Sequence, residues 1–204
     1  MARPREFDED ALLDAAMQCF WSQGYEATSV KDLTCKTGVT AASLYNAYGD
    51  KRGLFHSALD RYVAGIMDRI RRADALPPRE AIGYFFDEIL RRSLNDREHK
   101  GCMLVNSALE LAPHDAEFRA MIADAMQRIE AFFLRHIREG QSSGVITTAI
   151  AAPQLAQHLL SVVMGVRVLA RARPERTLLE GIVTSALTML QSPVPIEDDP
   201  GIRK

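Results

Sequence analysis

The sequence predicts an all-α protein, and three observations carry that expectation. Apolar residues recur at spacings of three and four along most of the 204-residue chain. The 12 glycines and 9 prolines fall mostly between those periodic segments rather than inside them. The breaks also carry helix punctuation, such as Gly24 after the first segment and Asp50 before a later one. A chain that is 47% hydrophobic and 25% charged is ordinary for a globular protein, and its length allows one large or two small domains.

The first helix is expected from about Asp8 to Gln23. Leu12, Leu13, Ala16, Met17, Phe20 and Trp21 make one stripe on it, and Asp8, Glu9 and Asp10 suit its positive N-terminus. Gly24 ends it in the manner of a left-handed C-terminal residue. Thr28 is the expected N-cap of a short helix from Ser29 to Thr37, with Val30 and Leu33 turned inward. Gly38 and Val39 break it, and a second short helix follows from Thr40 to Ala47 around Leu44. Asp50 then caps a long helix reaching Arg72. Pro77 and Pro78 precede a helix from Arg79 to Leu94, and another covers Met103 to Leu111. After Pro113, a long helix opens at His114 or Asp115 and runs to Gln141. The last two are expected from Pro153 to Arg173 and from Pro174 to Gln191. The tail, 192–204, has no periodicity and reads as disordered.

Composition excludes some classes. The three cysteines, Cys19, Cys35 and Cys102, are odd in number and form no CxxC, so a disulfide framework is not expected and a reducing cytoplasm is. The apolar run from Leu159 to Val166 is too short to span a bilayer and stops at Arg167, so no membrane role is expected. His99 and Cys102 have metal-like spacing without further ligands, and neither a metal nor a cofactor is implied. Residues 1–56 hold six basic and eight acidic side chains, so charge alone does not point to nucleic acid. The placement of residues must carry that case.

The segment TSVKDLTCKTGVTAASLYNAYGDKRGLF, from Thr28 to Phe55, supplies it. Two short helices joined by a glycine-containing turn satisfy the helix-turn-helix requirement, with the second helix in the major groove. Val30, Leu33, Val39 and Leu44 would set the angle between them. The exposed positions of the second helix are Thr40, Ala41, Ala42, Ser43, Tyr45 and Asn46, which are small or hydrogen-bonding. Ala41 or Ala42 could touch a thymine methyl, and Asn46 could read adenine. Thr28, Ser29, Tyr45, Tyr48 and Lys51 have the character of phosphate contacts, and Arg3 and Arg5 form either a basic arm or a solvated tail.

Phe20, Gly24-Tyr25, Thr28-Ser29-Val30, Leu33, Thr37-Gly38-Val39-Thr40, Ser43-Leu44-Tyr45 and Tyr48-Gly49-Asp50-Lys51, in that order, resemble the DNA-binding domain of TetR-family regulators over residues 5–62. The segment from Gly101 to Ala112 is similar to one that opens the ligand domain in a subgroup of that family. Thr34 and Thr37 stand where the family usually has alanine, and the basic residue often found in its recognition helix is missing. The resemblance implies an N-terminal three-helix DNA-binding domain at 1–50 and a helical ligand-binding and dimerisation domain at 51–191. It also implies a ligand-responsive regulator, a repressor in the first instance, that binds a double-stranded, pseudopalindromic operator as a homodimer and responds to a small-molecule effector. No enzymatic activity is implied.

The last two helices are apolar on more than one side, which calls for burial on more than one face. Leu159, Val163, Val166, Leu179, Ile182 and Leu187 are the expected dimer contacts. Two recognition helices would then lie about 34–36 Å apart. Tyr62, Phe85, Phe86, Ile89, Met103, Asn106, Met126 and Phe133 fall on helices that would line an effector cavity, although each also suits plain core. Arg167 either faces an acidic ligand or pairs with an acid such as Glu110. Cys102, at a helix start, opens an alternative as a thiol sensor of oxidants or electrophiles. A helical enzyme without DNA binding is the remaining alternative.

Overall fold

The computed structural model describes residues 8–191, and among them it places nine helices and no strand. They are α1 (Glu9–Gln23), α2 (Val30–Thr37), α3 (Ala41–Tyr48), α4 (Lys51–Ala73), α5 (Pro78–Leu94), α6 (Met103–Glu110), α7 (Ala116–Ser142), α8 (Ala152–Ala172) and α9 (Arg176–Thr188). The expected arm at Arg3 and Arg5 and the tail at 192–204 lie outside the described residues.

Local chemistry sets the boundaries. Asp8 caps α1, Asp50 caps α4 through the Gly53 N–H at 2.7 Å, and Asp115 caps α7. Thr28 does not cap α2, contrary to expectation. Ser29 does so in a capping box, its hydroxyl accepting from Asp32 N–H while Asp32 accepts from Ser29 N–H. Thr28 is instead fully buried and donates its hydroxyl to the Gly24 carbonyl. Gly38 closes α2 in the left-handed conformation, φ 74°, and its N–H reaches the Thr34 carbonyl.

α1 and α3 pack on α4 and α2 packs on α1 and α3, so Leu33 and Leu44 share one buried cluster with Phe20, Leu54 and Phe55. Phe20, Phe55 and Phe118 make edge-to-face pairs at 5.0 and 5.3 Å, joining this unit to the start of α7. Arg61 on α4 clamps Asp14 and Asp10 on α1. Farther along, Phe85 and Phe86 of α5 pack on Phe132 and Phe133 of α7.

By length and composition alone α8 could cross a membrane, but α5, α7 and α9 pack against it and Arg167 sits on its buried side. Leu159, Val163, Val166 and Leu179 were expected at a dimer surface; each is at most 4% exposed within a single chain. They face α8's and α9's own neighbours. Ile182 and Leu187 remain partly exposed, and a shallow apolar groove runs beside Ile182 between Val162, Leu178 and Met189. Both stripes of these helices are apolar, so periodicity could not tell the inward one from the outward one.

Candidate nucleic-acid interface and its coupled cavity

Leu44 anchors α3, and the opposite side of that helix presents Ala42 and Asn46, four residues apart and both exposed. Ser43 and Tyr45 flank them, partly exposed, while Ala41 and Tyr48 lie nearer the core side. Thr40 caps the helix through Ser43 N–H at 3.2 Å, and the two hydroxyls lie 3.0 Å apart. Ser29, exposed at the start of α2, completes a row of hydroxyl groups. Thr28, buried and engaged with Gly24, is not among them.

Lys51 is less free than its sequence position implies. Its Nζ lies 4.5 Å from the Tyr25 ring centroid and donates to the Glu26 carbonyl at 3.3 Å. It therefore braces the loop between α1 and α2 while remaining partly exposed.

That loop has a second anchor. Glu110, the last residue of α6, accepts the backbone N–H groups of Tyr25 at 3.1 Å and Glu26 at 2.7 Å. Glu110 is therefore not the partner of Arg167. Gly24, φ 89°, must stay small here, since a Cβ would meet the Glu110 carboxylate at 2.9 Å. Gly24 does end α1 at positive φ, as expected, but its ψ of 172° takes it out of the left-handed helical well that the usual cap occupies.

At the other end of α6 lies a narrow, partly open cavity lined by side chains from α4, α5, α6, α7 and α8, with exposed Arg92 at its mouth. Of the expected lining residues, Tyr62, Phe85, Ile89 and Arg167 are on it. Phe86, Met103 and Phe133 are packed core, at most 2% exposed, and Met126 lies on the outer flank of α7. Asn106 donates to the Lys100 carbonyl and faces a separate surface groove. Sequence reasoning missed Arg69 and Arg92, and it singled out Cys102 as a thiol without placing it on this wall; the three come from different helices or their starts and meet only in the folded chain.

Arg167, 7% exposed, donates to Ser93 Oγ at 3.0 Å, the Tyr62 hydroxyl at 3.2 Å and the Gly101 carbonyl at 3.1 Å. Tyr62 in turn donates to Cys102 Sγ at 3.4 Å. Burial pushes the Tyr62 phenol up to about 12, with the neighbouring Cys102 adding to the shift. Burial also opposes ionisation of Cys102, yet the Arg167 charge and the Tyr62 hydrogen bond outweigh it and hold that thiol below its ordinary value. Tyr62 also meets Trp21 of α1 edge-on at 5.1 Å, so the cavity wall touches the DNA-binding unit directly.

Comparison with known proteins agrees with this geometry. The family described as bacterial regulatory proteins, tetR family, matches residues 12–58, and the tetracyclin repressor-like C-terminal domain matches 78–186. The chain is 30% identical to the uncharacterized HTH-type transcriptional regulator YezE of Bacillus subtilis, over 93% of this chain and all of that one. It is also 30% identical to the HTH-type transcriptional repressor ComR of Escherichia coli, over 93% of this chain and 90% of that one. A solved structure of the TetR family regulator CifR, a cysteine mutant in complex with a 26-base-pair operator duplex, superposes with a TM-score of 0.82. The two are 31% identical, with 93% of this chain and all of that one covered.

Proposed function

The chain belongs to the TetR family of bacterial regulatory proteins, and from that premise we propose that it is a homodimeric, ligand-released repressor reading its operator through α3. As a family member it is a DNA-binding regulator of transcription and not an enzyme. It acts in the cytoplasm, where its DNA lies.

The observation that carries the reading is the outward pair Ala42 and Asn46, opposite buried Leu44. Ala42 lets the helix approach the base edges and offers a methyl for thymine, and Asn46 can bond adenine through its N6 and N7. Ser29, Thr40, Ser43, Tyr45, Tyr48 and Lys51 flank that pair and hold phosphates, which sets register rather than sequence. Residues 1–50 carry the reading head and 51–191 the effector and dimer surfaces, with the start of α4 shared between them. The second copy covers the outer α8–α9 groove around Val162, Leu178 and Ile182.

Effector control runs through α6. This helix is about 12 Å long at 1.5 Å per residue. It begins at the cavity beside Cys102 and ends at Glu110, which grips the loop before α2. A guest that displaces the start of α6 moves the reading head, and DNA in turn disfavours the guest by the same factor.

Selection of bound duplexes from a random double-stranded pool tests the reading. The expected result is a pseudopalindrome with half-sites about 10 base pairs apart. Recovery of unrelated sequences would overturn it.

A further inference from the structure

The cavity that the proposed function uses as effector site has an unusual lining. Three guanidinium groups, Arg69 from α4, Arg92 from α5 and Arg167 from α8, approach it, and among the described residues no carboxylate lines it. The remaining wall is apolar apart from Tyr62 and Cys102, with Ile66, Phe85, Ile89 and Val163 among its members.

The nearby acids are committed elsewhere. Glu88 is held by Nε and Nη2 of Arg91, with its charge also reaching Arg92 and Arg69, and Asp96 accepts the Gly101 N–H. Glu98 pairs with Lys100 at 2.8 Å, and Glu110 grips the α1–α2 loop. Arg167 meets only neutral acceptors and the Cys102 thiol, although a buried charge ordinarily has an ionic partner. Burial, and after it the neighbouring Arg92 and Arg167 charges, depress Arg69 to about 10.

Outside Arg92 and Arg167 lies a surface basin of about 520 Å³. Arg91, Arg92, Arg97, Lys100 and Arg167 line it against Asp96 and Glu98, so an approaching anion meets excess positive charge.

We propose that this cavity binds an organic acid, whose carboxylate is held by Arg167 and Arg69 beside the Tyr62 hydroxyl and whose apolar body lies against Ile66, Phe85 and Ile89. This rests on reading the cavity as the effector site. A guanidinium fork matches a planar carboxylate with two parallel hydrogen bonds. An amine would add a fourth positive charge, and a neutral guest would leave the existing repulsion in place. A bare inorganic anion would gain nothing from the apolar wall. The cavity has a volume of about 30 Å³, close to that of one water molecule. An acid with any chain must therefore spread α4, α5 and α8 as it enters, and that displacement adjoins the start of α6.

The test is calorimetric titration of the full chain with octanoate, octanamide, octylamine and acetate. Octanoate should bind at least 30-fold more tightly than octanamide, with octylamine and acetate weaker still. Arg69→Gln should weaken octanoate about tenfold while leaving octanamide unchanged. Arg167→Lys, which keeps the charge and loses the fork, should do likewise, with thermal melts establishing that each variant is folded. Octanamide binding as tightly as octanoate, or no binding by octanoate, would overturn the proposal. Release of the selected duplex is read separately. Octanoate that binds but leaves DNA affinity unchanged supports the acid site and sinks the effector reading. A neutral compound that binds the cavity and releases DNA keeps the effector reading and sinks the acid.

Discussion

The carboxylate of Glu110 accepts the backbone N–H of Glu26 at 2.7 Å, joining residues 84 apart in sequence. With the Tyr25 N–H on its other oxygen, Glu110 satisfies two backbone donors of the loop between α1 and α2.

Glu110→Ala should cost about 1.5–3 kcal/mol of stability, the range for hydrogen bonds to a charged group. Operator affinity should fall little, and the effector's ability to release DNA should shrink. Thermal melts and gel shifts with and without effector measure both. An undiminished response would show that the signal reaches the reading head through α4 and Tyr62 instead.

Ala42→Asp should reduce specific operator affinity at least a hundredfold while leaving the melting temperature nearly unchanged. Ala42 is exposed, and an acid in the first turn of α3 suits the helix dipole, so the loss would arise from bulk and phosphate repulsion. Unchanged affinity in a gel shift would mean that α3 does not lie in the groove.

Lys51→Ala separates anchoring from bracing. If its ammonium meets a phosphate, the salt-dependence slope should fall by about one. Loss of its contact with Tyr25 should also cost about 0.5–1 kcal/mol. A lower melting temperature with an unchanged slope would make it purely structural. Asp50→Ala, which removes the α4 cap, should cost about 1 kcal/mol and act on binding only through the disordered helix start.

Ile182→Glu should weaken self-association in sedimentation, because Ile182 lies on the outer α8–α9 groove. Leu159→Glu should instead unfold the chain, since Leu159 is fully buried within one subunit. A wild type that is monomeric at micromolar concentration would remove the dimer altogether.

Acid stability should report Asp115. The Phe118 N–H and Arg52 hold its carboxyl below the ordinary 3.8, so the unfolded chain binds that proton more readily. Its contribution is complete above about pH 4 and disappears as pH falls through the folded value. Asp115→Asn keeps the α7 cap and removes the titrating group. The variant should melt lower at pH 7 but lose less on going from pH 5 to pH 3. Parallel curves for the two proteins would exclude Asp115 from the acid limb.

Most helices were legible in the sequence because caps and periodicity agree at their ends, as at Asp8 and Asp50. Thr28 and Ser29 were misassigned because adjacent hydroxyls compete for one cap, and Asp32, three residues on, decides between them. The exposed face of α3 followed from Leu44 alone. The cavity followed only in part: Tyr62, Phe85, Ile89 and Arg167 were expected on it, but Arg69 and Arg92 join them from other turns of the fold with no local pattern to announce it. The proposed dimer surface did not follow, since two apolar stripes on one helix look alike until the chain folds.

The proposed reading helix α3, Ala41 to Tyr48, bears no formal charge. A cell's DNA is overwhelmingly random sequence, and cationic surfaces hold a regulator there in a large idle reservoir. A neutral recognition helix shrinks that reservoir, so a greater share of the molecules stays off the chromosome. Those molecules bind effector without first being displaced from random sites. Induction then tracks effector concentration more closely, and few copies suffice to keep the operator supplied.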